Sequence, residues 1–451
     1  MLAPRPEERL VAEITDTKVG DQPGAGPGRR PRTTLGALIR SLEIDPRLFG
    51  MLVALAIIWV GFHFMSGGTF LTPRNLWNLS VQTASVGIMA TGMVLVIVSR
   101  NIDLSVGSML AAVGMAMALL QAEILPQWLG FGHWSIWIIT LAFGILLGAM
   151  IGGFQGAIIA YAKVPAFIVT LGGLLVWRGV AWAMASGRTI APLDATFQLL
   201  GGGARGSIGG VATWIVGIIA CVGIVALIFA GRRRRIKYGF TLRPTWADIT
   251  IGVVGCGIVL GAVAVINAYP MPENLARQVY AEQGLEWPAG GAEIPLGLAN
   301  PVLIMLGAAL VMAFVANRTS FGRYVFAIGG NPEAAELGGI RTRWTIVKVF
   351  MVMGVLVAIA AAVQTARLNA AVSGLGQLAE LYVIAAAVIG GTSLAGGVGT
   401  VPGAVLGALV AQSLQSGMVL MGVDAPLQDI VVGIVLVLAV ALDSIYRRRV
   451  E

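Results

Sequence analysis

The sequence predicts an all-α fold: a polytopic integral membrane helical bundle of about twelve transmembrane helices, two of them short or interrupted, with both termini cytoplasmic. Three observations predict it. Hydrophobic residues make up 57% of the 451-residue chain and charged residues only 12%, roughly half of the ~25% usual in soluble domains. The apolar residues gather into runs of about 17 to 25, long enough to cross a hydrocarbon layer as helix, with none of the alternation that marks a β-barrel. Sixty-one glycines are spread through those runs. Small side chains let helices approach closely where lipid removes the hydrophobic drive for packing.

The elements follow in order. Residues 1–47 are rich in Pro, Gly and charge, with PGAGPGRRPR at 23–32, and cannot bury a core of their own. They are expected to form a disordered cytoplasmic tail, since no short apolar segment with a cleavage site opens the chain. A membrane domain is expected over 48–446 and a short basic tail over 447–451. The predicted spans of the first half are Leu48–Met65, Leu79–Val98, Ser105–Gln121, Ser135–Ala160, Ala166–Ser186 and Val211–Ala230. Those of the second are Trp246–Ala268, Asn300–Ala316, Thr345–Val363, Leu381–Ala395, Pro402–Met421 and Leu427–Tyr446.

The distribution of Lys and Arg tests that count, because cytoplasmic segments near helix ends carry the excess. With twelve crossings the inner side receives eight in the tail, Arg100, Lys163, six between Gly231 and Thr245, four between Asn317 and Trp344, and Arg447, Arg448 and Arg449. That is 23 of 30. The net charge of +8 is therefore a topological signature, and nucleic acid is not an expected partner even for the run Arg232–Arg235.

Two regions are irregular. Leu381–Ala395 is short and runs into GGTSLAGGVGTVPG, which cannot continue as regular helix; SRNIDLSVGS at 99–108 resembles it in the other half of the chain. Paired interruptions of this kind point to a transport path, because non-helical backbone at depth must be covered by protein or line a watery cavity. The candidate path residues are Gln82, Asn101, Asp103, Ser105, Thr392, Ser393 and Gln412. Asp103 apart, these residues with Thr83, Gln155, Gln415 and Ser416 supply the amide and hydroxyl groups that exchange hydrogen bonds with a neutral polyol. The alternative use of such groups is bonding between helices.

Catalytic chemistry is thin. His63 and His133 have no HExxH context, Cys221 and Cys256 cannot make a disulfide framework or zinc site, and neither a GxSxG elbow nor a metal cluster occurs. None of the four lysines follows a glycine, so the chain has no GxxxxGK[ST] phosphate loop, and ATP, if used, binds to another subunit. Asp103, Glu380, Asp424 and Asp443 sit at segment edges where water is expected to reach them, which argues against a carboxylate relay for ion coupling. Arg178 is the deeply placed charge.

Between the greasy spans lies one short polar helix, Asn331-Pro332-Glu333-Ala334-Ala335-Glu336-Leu337-Gly338-Gly339. Asn331 is a good N-cap, Pro332 suits the first turn, Glu333 and Glu336 meet the positive end of the dipole, and the two glycines stop it. Charge distribution puts it in the cytoplasm, inside the segment 317–344.

Several stretches carry a family resemblance: RNIDLSVGSML, KVPAFIVTLGGLLVWRG, GRYVFAIGGNPEAAELGGI, YVIAAAVIGGTSLAGG and LDSIYRR. Over roughly 75–188 and 316–447 the chain resembles the permease subunits of bacterial ATP-binding-cassette importers for monosaccharides, the ribose, galactose and xylose group. Residues 413–443 are most similar to the xylose permeases. Relative to the shorter ribose type, 231–297 resembles an insertion that carries an extra helix and an outer loop.

The resemblance implies a multi-pass protein of the bacterial inner membrane, two copies forming a gate, with cassette ATPase subunits below that bind ATP and Mg. It also implies a periplasmic sugar-binding protein above; for the acidic loop 269–297 two readings stand open, a surface that helps receive that protein and a solvated loop. Glu333-Ala334-Ala335 followed by Gly339 resembles the EAA loop through which importer permeases meet their ATPases, although the downstream Leu-Pro is missing. No cofactor is expected in this chain and it is not expected to be an enzyme. Alternatives at this point are a permease of the same superfamily for branched-chain amino acids or another small solute, and an ATP-independent carrier.

Overall fold

The computed structural model describes residues 46–448 apart from 283 and 289, so the predicted tails at 1–47 and 447–451 fall almost wholly outside the described residues. Strand structure among the described residues is limited to isolated bridges such as Ile190 with Ala371 and Gly209 with Gly297. Everything else that is regular is helix. Among the described residues ten helices are long and apolar enough to cross a membrane, and two shorter apolar ones accompany them.

Helix α1 spans Pro46–Met65, and α2 spans Pro73–Val98, starting six residues before the predicted span. The early start has a local cause: Thr72 caps the helix by accepting from Asn75 N, and Pro73 fills the first turn. Helix α3 begins at Val106–Leu119 and continues through a π-turn at Leu120–Ile124 to Leu129, beyond the predicted stop at Gln121. Helices α4 (Ile136–Tyr161) and α5 (Ala166–Ala185) follow. Helix α6 (Gly209–Lys237) runs past its apolar stretch through Arg232–Arg235, because hydropathy ends at the first charge whereas backbone hydrogen bonding does not.

Helix α7 (Thr245–Asn267) returns beside α6, and an exposed amphipathic helix, α8 (Glu273–Glu282), sits in the loop that follows. Then come α9 (Asn300–Arg318), α10 (Ser320–Gly330), the short α11 (Pro332–Leu337) and α12 (Thr342–Leu368). The chain ends with α13 (Ala379–Ile389), α14 (Val401–Leu420) and α15 (Ala425–Arg448). Helix α13 has 11 residues, about 16 Å at 1.5 Å per residue, half of a crossing. It stops where Gly390 and Gly391 begin the glycine-rich segment.

Burial sorts the helices into layers. The membrane-length window of α2 is 89% buried, those of α3 and α12 67% and that of α14 61%, whereas α1 and α7 bury 6% and α6 11%. A helix apolar all round and exposed to solvent on most of its surface is one that faces lipid. Helices α2, α3, α12 and α14 therefore make the core, with α1, α5, α6 and α7 on the perimeter.

Glycine sets the closest approach inside that core. A Cβ on Gly152 of α4 would run into the Phe350 carbonyl of α12, and one on Gly148 would meet the Gly354 carbonyl. The two backbones touch because nothing stands between them, which is the small-residue packing expected in lipid.

Hydrogen bonds gather the loops into two ends. At one, Trp77 Nε1 donates to Gly297 O at 2.9 Å, Leu193 N to Asn369 Oδ1 at 2.9 Å and Ile190 N to Ala371 O at 3.0 Å. At the other, Arg100 reaches Gly329 and Gly330, and Gly397 N donates to Val98 O at 3.0 Å. We call these the loop end and the junction end.

Candidate functional site

A cavity of about 650 Å³ opens at the loop end among the buried helices. Helix α2 contributes Asn75, Asn78, Gln82, Ser85 and Met89, and α14 contributes Gln412, Gln415 and Ser416. Gln364 and Arg367 come from the end of α12, Gln377 from the segment entering α13 and Tyr382 from the first turn of α13. The α2 residues are spaced three and four apart, so a single helix face delivers them.

Amides dominate this wall. Ser416 Oγ donates to Asn75 Oδ1 at 3.3 Å and Asn75 Nδ2 to Phe70 O at 2.8 Å, which holds that pair in place. The side chains of Asn78, Gln82, Gln364, Gln412 and Gln415 make no hydrogen bond to the protein among the described residues. Each carries donors and acceptors together, so the wall offers both kinds of partner to a ligand. Among the described residues Arg367 is the sole charged one in the lining, and no carboxylate lines the cavity beside it.

Of the path residues expected from sequence, Gln82 and Gln412 line this cavity. Asn101, Asp103, Ser105, Thr392 and Ser393 belong to the two interrupted segments toward the junction end. Asn101 Nδ2 donates to Ser99 O at 2.9 Å, and Ser393 N donates to Val398 O at 2.9 Å, each bond folding its own loop. Thr392 is 1% exposed and its hydroxyl has no partner.

One expectation about these segments is corrected. Asp103 and Glu380 are not at water-reachable edges: they are 1% and 7% exposed. Asp103 lies under α3 and α5, where Ser105 N donates to its Oδ1 at 2.9 Å and Ser105 Oγ sits 2.6 Å from the same oxygen. Ser105 Oγ is also 2.9 Å from Gln155 Oε1, yet a hydroxyl has one proton to give. Exchanging the Gln155 amide oxygen and nitrogen resolves this: its otherwise unpartnered Nε2 donates to Ser105 Oγ, whose proton goes to Asp103. Asp424 is exposed, as expected, and the side chain of Asp443 lies outside the described residues.

Arg178, the deep charge, is satisfied without snorkelling to water. Its Nη1 donates to Ser373 O at 2.9 Å and to Leu375 O at 2.7 Å, fixing the segment that leads into α13. The position is structural in its contacts.

Helix α11 has the caps read from its sequence. Asn331 Oδ1 accepts from Ala334 N at 3.0 Å, and Pro332 occupies the first turn. At the other end Ile340 N donates to Ala335 O at 3.1 Å and Gly339 N to Glu336 O at 2.9 Å, with Gly339 at φ +82°, a left-handed glycine stop. Ala335 is buried and anchors the helix; Glu333, Glu336 and Leu337 point outward, Leu337 at 91% exposure.

The residues missed from sequence are Asn75, Asn78, Ser85, Gln364, Arg367, Gln377 and Tyr382. A signal existed for the first three. Asn75, Asn78, Gln82 and Ser85 form a polar stripe with helical spacing inside an otherwise apolar span, and a stripe buried in lipid must face something polar. Gln377 and Tyr382 had no such signal, because the turn that brings them to the cavity depends on the Arg178 contacts.

Comparison with known proteins bears on this arrangement. Residues 75–440 match the family described as branched-chain amino acid transport system / permease component. The xylose transport system permease protein XylH of Escherichia coli (strain K12) is 39% identical over 416 residues, 92% of this chain and 96% of the relative. XylH of Haemophilus influenzae is 38% identical over 407 residues, covering 90% and 98%. The ribose import permease protein RbsC of Escherichia coli (strain K12) is 31% identical over 398 residues, covering 88% and 92%. No solved structure gives a significant match.

Proposed function

Because the chain belongs to the branched-chain amino acid transport system / permease component family, as a multi-pass permease of the inner membrane, we propose that it is the membrane subunit of an ATP-binding-cassette importer. Its cargo is a monosaccharide, D-xylose first. The relatives named for xylose transport support the pentose, with identity over nearly the whole of both chains.

The single observation that carries a sugar over an amino acid is the cavity lining. An amino acid brings an ammonium and a carboxylate, and the ammonium would have no anion to meet on a wall whose only charge is Arg367. A neutral polyol needs donors and acceptors in mixture, which unpaired amides supply.

On this reading the loop end faces the periplasm, where a sugar-binding protein delivers its load, and the junction end faces the cytoplasm. ATP and Mg are bound by cassette ATPase subunits, and Asn331–Gly339 docks on them through Glu333, Glu336 and Leu337. A second copy of the chain completes the gate, and lipid surrounds α1, α5, α6 and α7. ATP binding shifts the population between outward-open and inward-open states, with no chemistry on the sugar.

Proteoliposomes holding this chain, its ATPase and its binding protein test the proposal. ATP-dependent accumulation of xylose is expected; accumulation of leucine in its place would overturn the sugar assignment. Glu333→Arg is expected to abolish uptake with membrane insertion intact, and normal uptake would overturn the docking assignment.

A further inference from the structure

Three segments meet at the junction end, two of them paired glycines at 329–330 and 396–397 and the other the end of α2, and one side chain pins them. Arg100 follows α2 with φ +62°, a left-handed backbone that a non-glycine residue adopts only when its surroundings hold it there. From that position its Nε donates to Gly329 O at 2.8 Å and its Nη2 to Gly330 O at 2.7 Å. Those carbonyls are the last of α10, immediately before the Asn331 cap of α11. A guanidinium on a helix C-terminus meets both its unpaired carbonyls and the negative end of its dipole.

The third segment is the break before α14. Gly397 N donates to Val98 O, and a Cβ on Gly329 would collide with that same Val98 carbonyl and lie 2.6 Å from Gly397 N. The end of α2, the end of α10 and the loop at 396–397 are thus in backbone contact, with no side chain between them to absorb a movement. Helices α2 and α14, which leave this junction, are the two that carry Gln82 and Gln412 to the cavity at the opposite end.

We propose that Arg100 is the positioning residue that couples the docking helix to the cavity wall: its fork ties the root of α11 to α2, so that a displacement of α11 is delivered to α2 and, through Gly397, to α14. The proposal rests on the reading of α11 as the ATPase-docking element. Lysine would not serve equally, since a point charge on a flexible stem does not bridge two adjacent carbonyls in a fixed geometry.

The test uses the full complex in proteoliposomes, with ATP hydrolysis and xylose uptake measured on the same preparation. Arg100→Ala is expected to retain ATPase association and hydrolysis while the sugar moved per ATP falls about ten-fold, the scale of one charge-assisted hydrogen bond. Arg100→Lys is expected to recover part of that ratio. It also carries the test if the alanine variant fails to fold, since it keeps the charge. An unchanged uptake-to-hydrolysis ratio in either folded variant overturns the proposal. So does a loss of hydrolysis and uptake in equal proportion. If Leu337→Asp and Glu333→Arg also leave uptake intact, the docking reading has failed; if they abolish it while Arg100→Ala does not, only the clamp has failed.

Discussion

Ser416 and Asn75 join the two helices that form the cavity wall, the Ser416 hydroxyl donating to the Asn75 amide oxygen at 3.3 Å. The bond divides the amides of the cavity into two kinds. Asn75 is fixed between Ser416 and the Phe70 carbonyl, whereas Gln82 and Gln412 have no partner in the protein among the described residues. Fixed amides hold the wall, and on the proposed function the free ones meet the cargo.

That division predicts different phenotypes. Gln82→Leu and Gln412→Leu each remove an amide, two N–H donors and a carbonyl acceptor, from the proposed path while keeping side-chain volume close. Each should lower sugar uptake about ten-fold, the scale of one lost hydrogen bond near ~1 kcal/mol or somewhat more in a desolvated site. Thermal stability in detergent should change little. Normal uptake by the double variant would remove this cavity from the path.

Packing gives a second prediction. Gly152→Leu forces α4 away from α12, because the new side chain meets the Phe350 carbonyl with no room to turn. A loss of about 1–3 kcal/mol is expected, the usual range for overpacking, seen as a lower melting midpoint and a broadened size-exclusion profile. Gly172, on α5, has nothing within 4 Å of its missing Cβ, so Gly172→Ala is the matched control and should be silent. Equal stability of the two variants would contradict the α4–α12 contact.

The perimeter hairpin of α6 and α7 offers a third. Cys221 Sγ lies 3.9 Å from Cys256 O, and Cys256 Sγ 3.9 Å from Cys221 O, so the two thiols face one another across the pair. A short thiol-to-thiol reagent such as dibromobimane, fluorescent only when it bridges, should label the membrane-embedded protein within a single chain. Cys221→Ser should abolish the signal. Absence of bridging in the unaltered chain would mean that the register of α6 against α7 differs.

How far the fold was legible depends on what each signal measures. Long apolar runs located ten membrane-length helices and two shorter apolar ones among the described residues at nearly the right places, because length and composition are one-dimensional properties. Their ends were less legible: α2 starts early at the Thr72 cap, and α6 runs on through Arg232–Arg235, since hydropathy reports lipid and not helix. Helix α11 was legible to the residue, because its caps are local chemistry between neighbours in sequence. The burial of Asp103 was not. It depends on Gln155, fifty residues away, and no local pattern announces that α3, α4 and α5 close over it.

The glycine stop of α11 supports a last prediction, which separates backbone geometry from side-chain contact at the proposed docking element. Gly339 has φ +82° and nothing within 4 Å of its missing Cβ, so any effect of substitution there comes from conformation and not from a clash. Asparagine visits the left-handed region readily and a β-branched residue hardly at all. Gly339→Asn should therefore keep most of the ATPase co-purification and uptake of the unaltered protein. Gly339→Val should unwind the stop, release the Ala335 and Glu336 carbonyls that it satisfies, and lose both activities several-fold, at a cost of about 1–2 kcal/mol for an L-residue held left-handed. Membrane insertion, set by the long spans, should be the same in both. If valine and asparagine behave alike, the positive φ at this residue is not what holds α11 in its docking geometry.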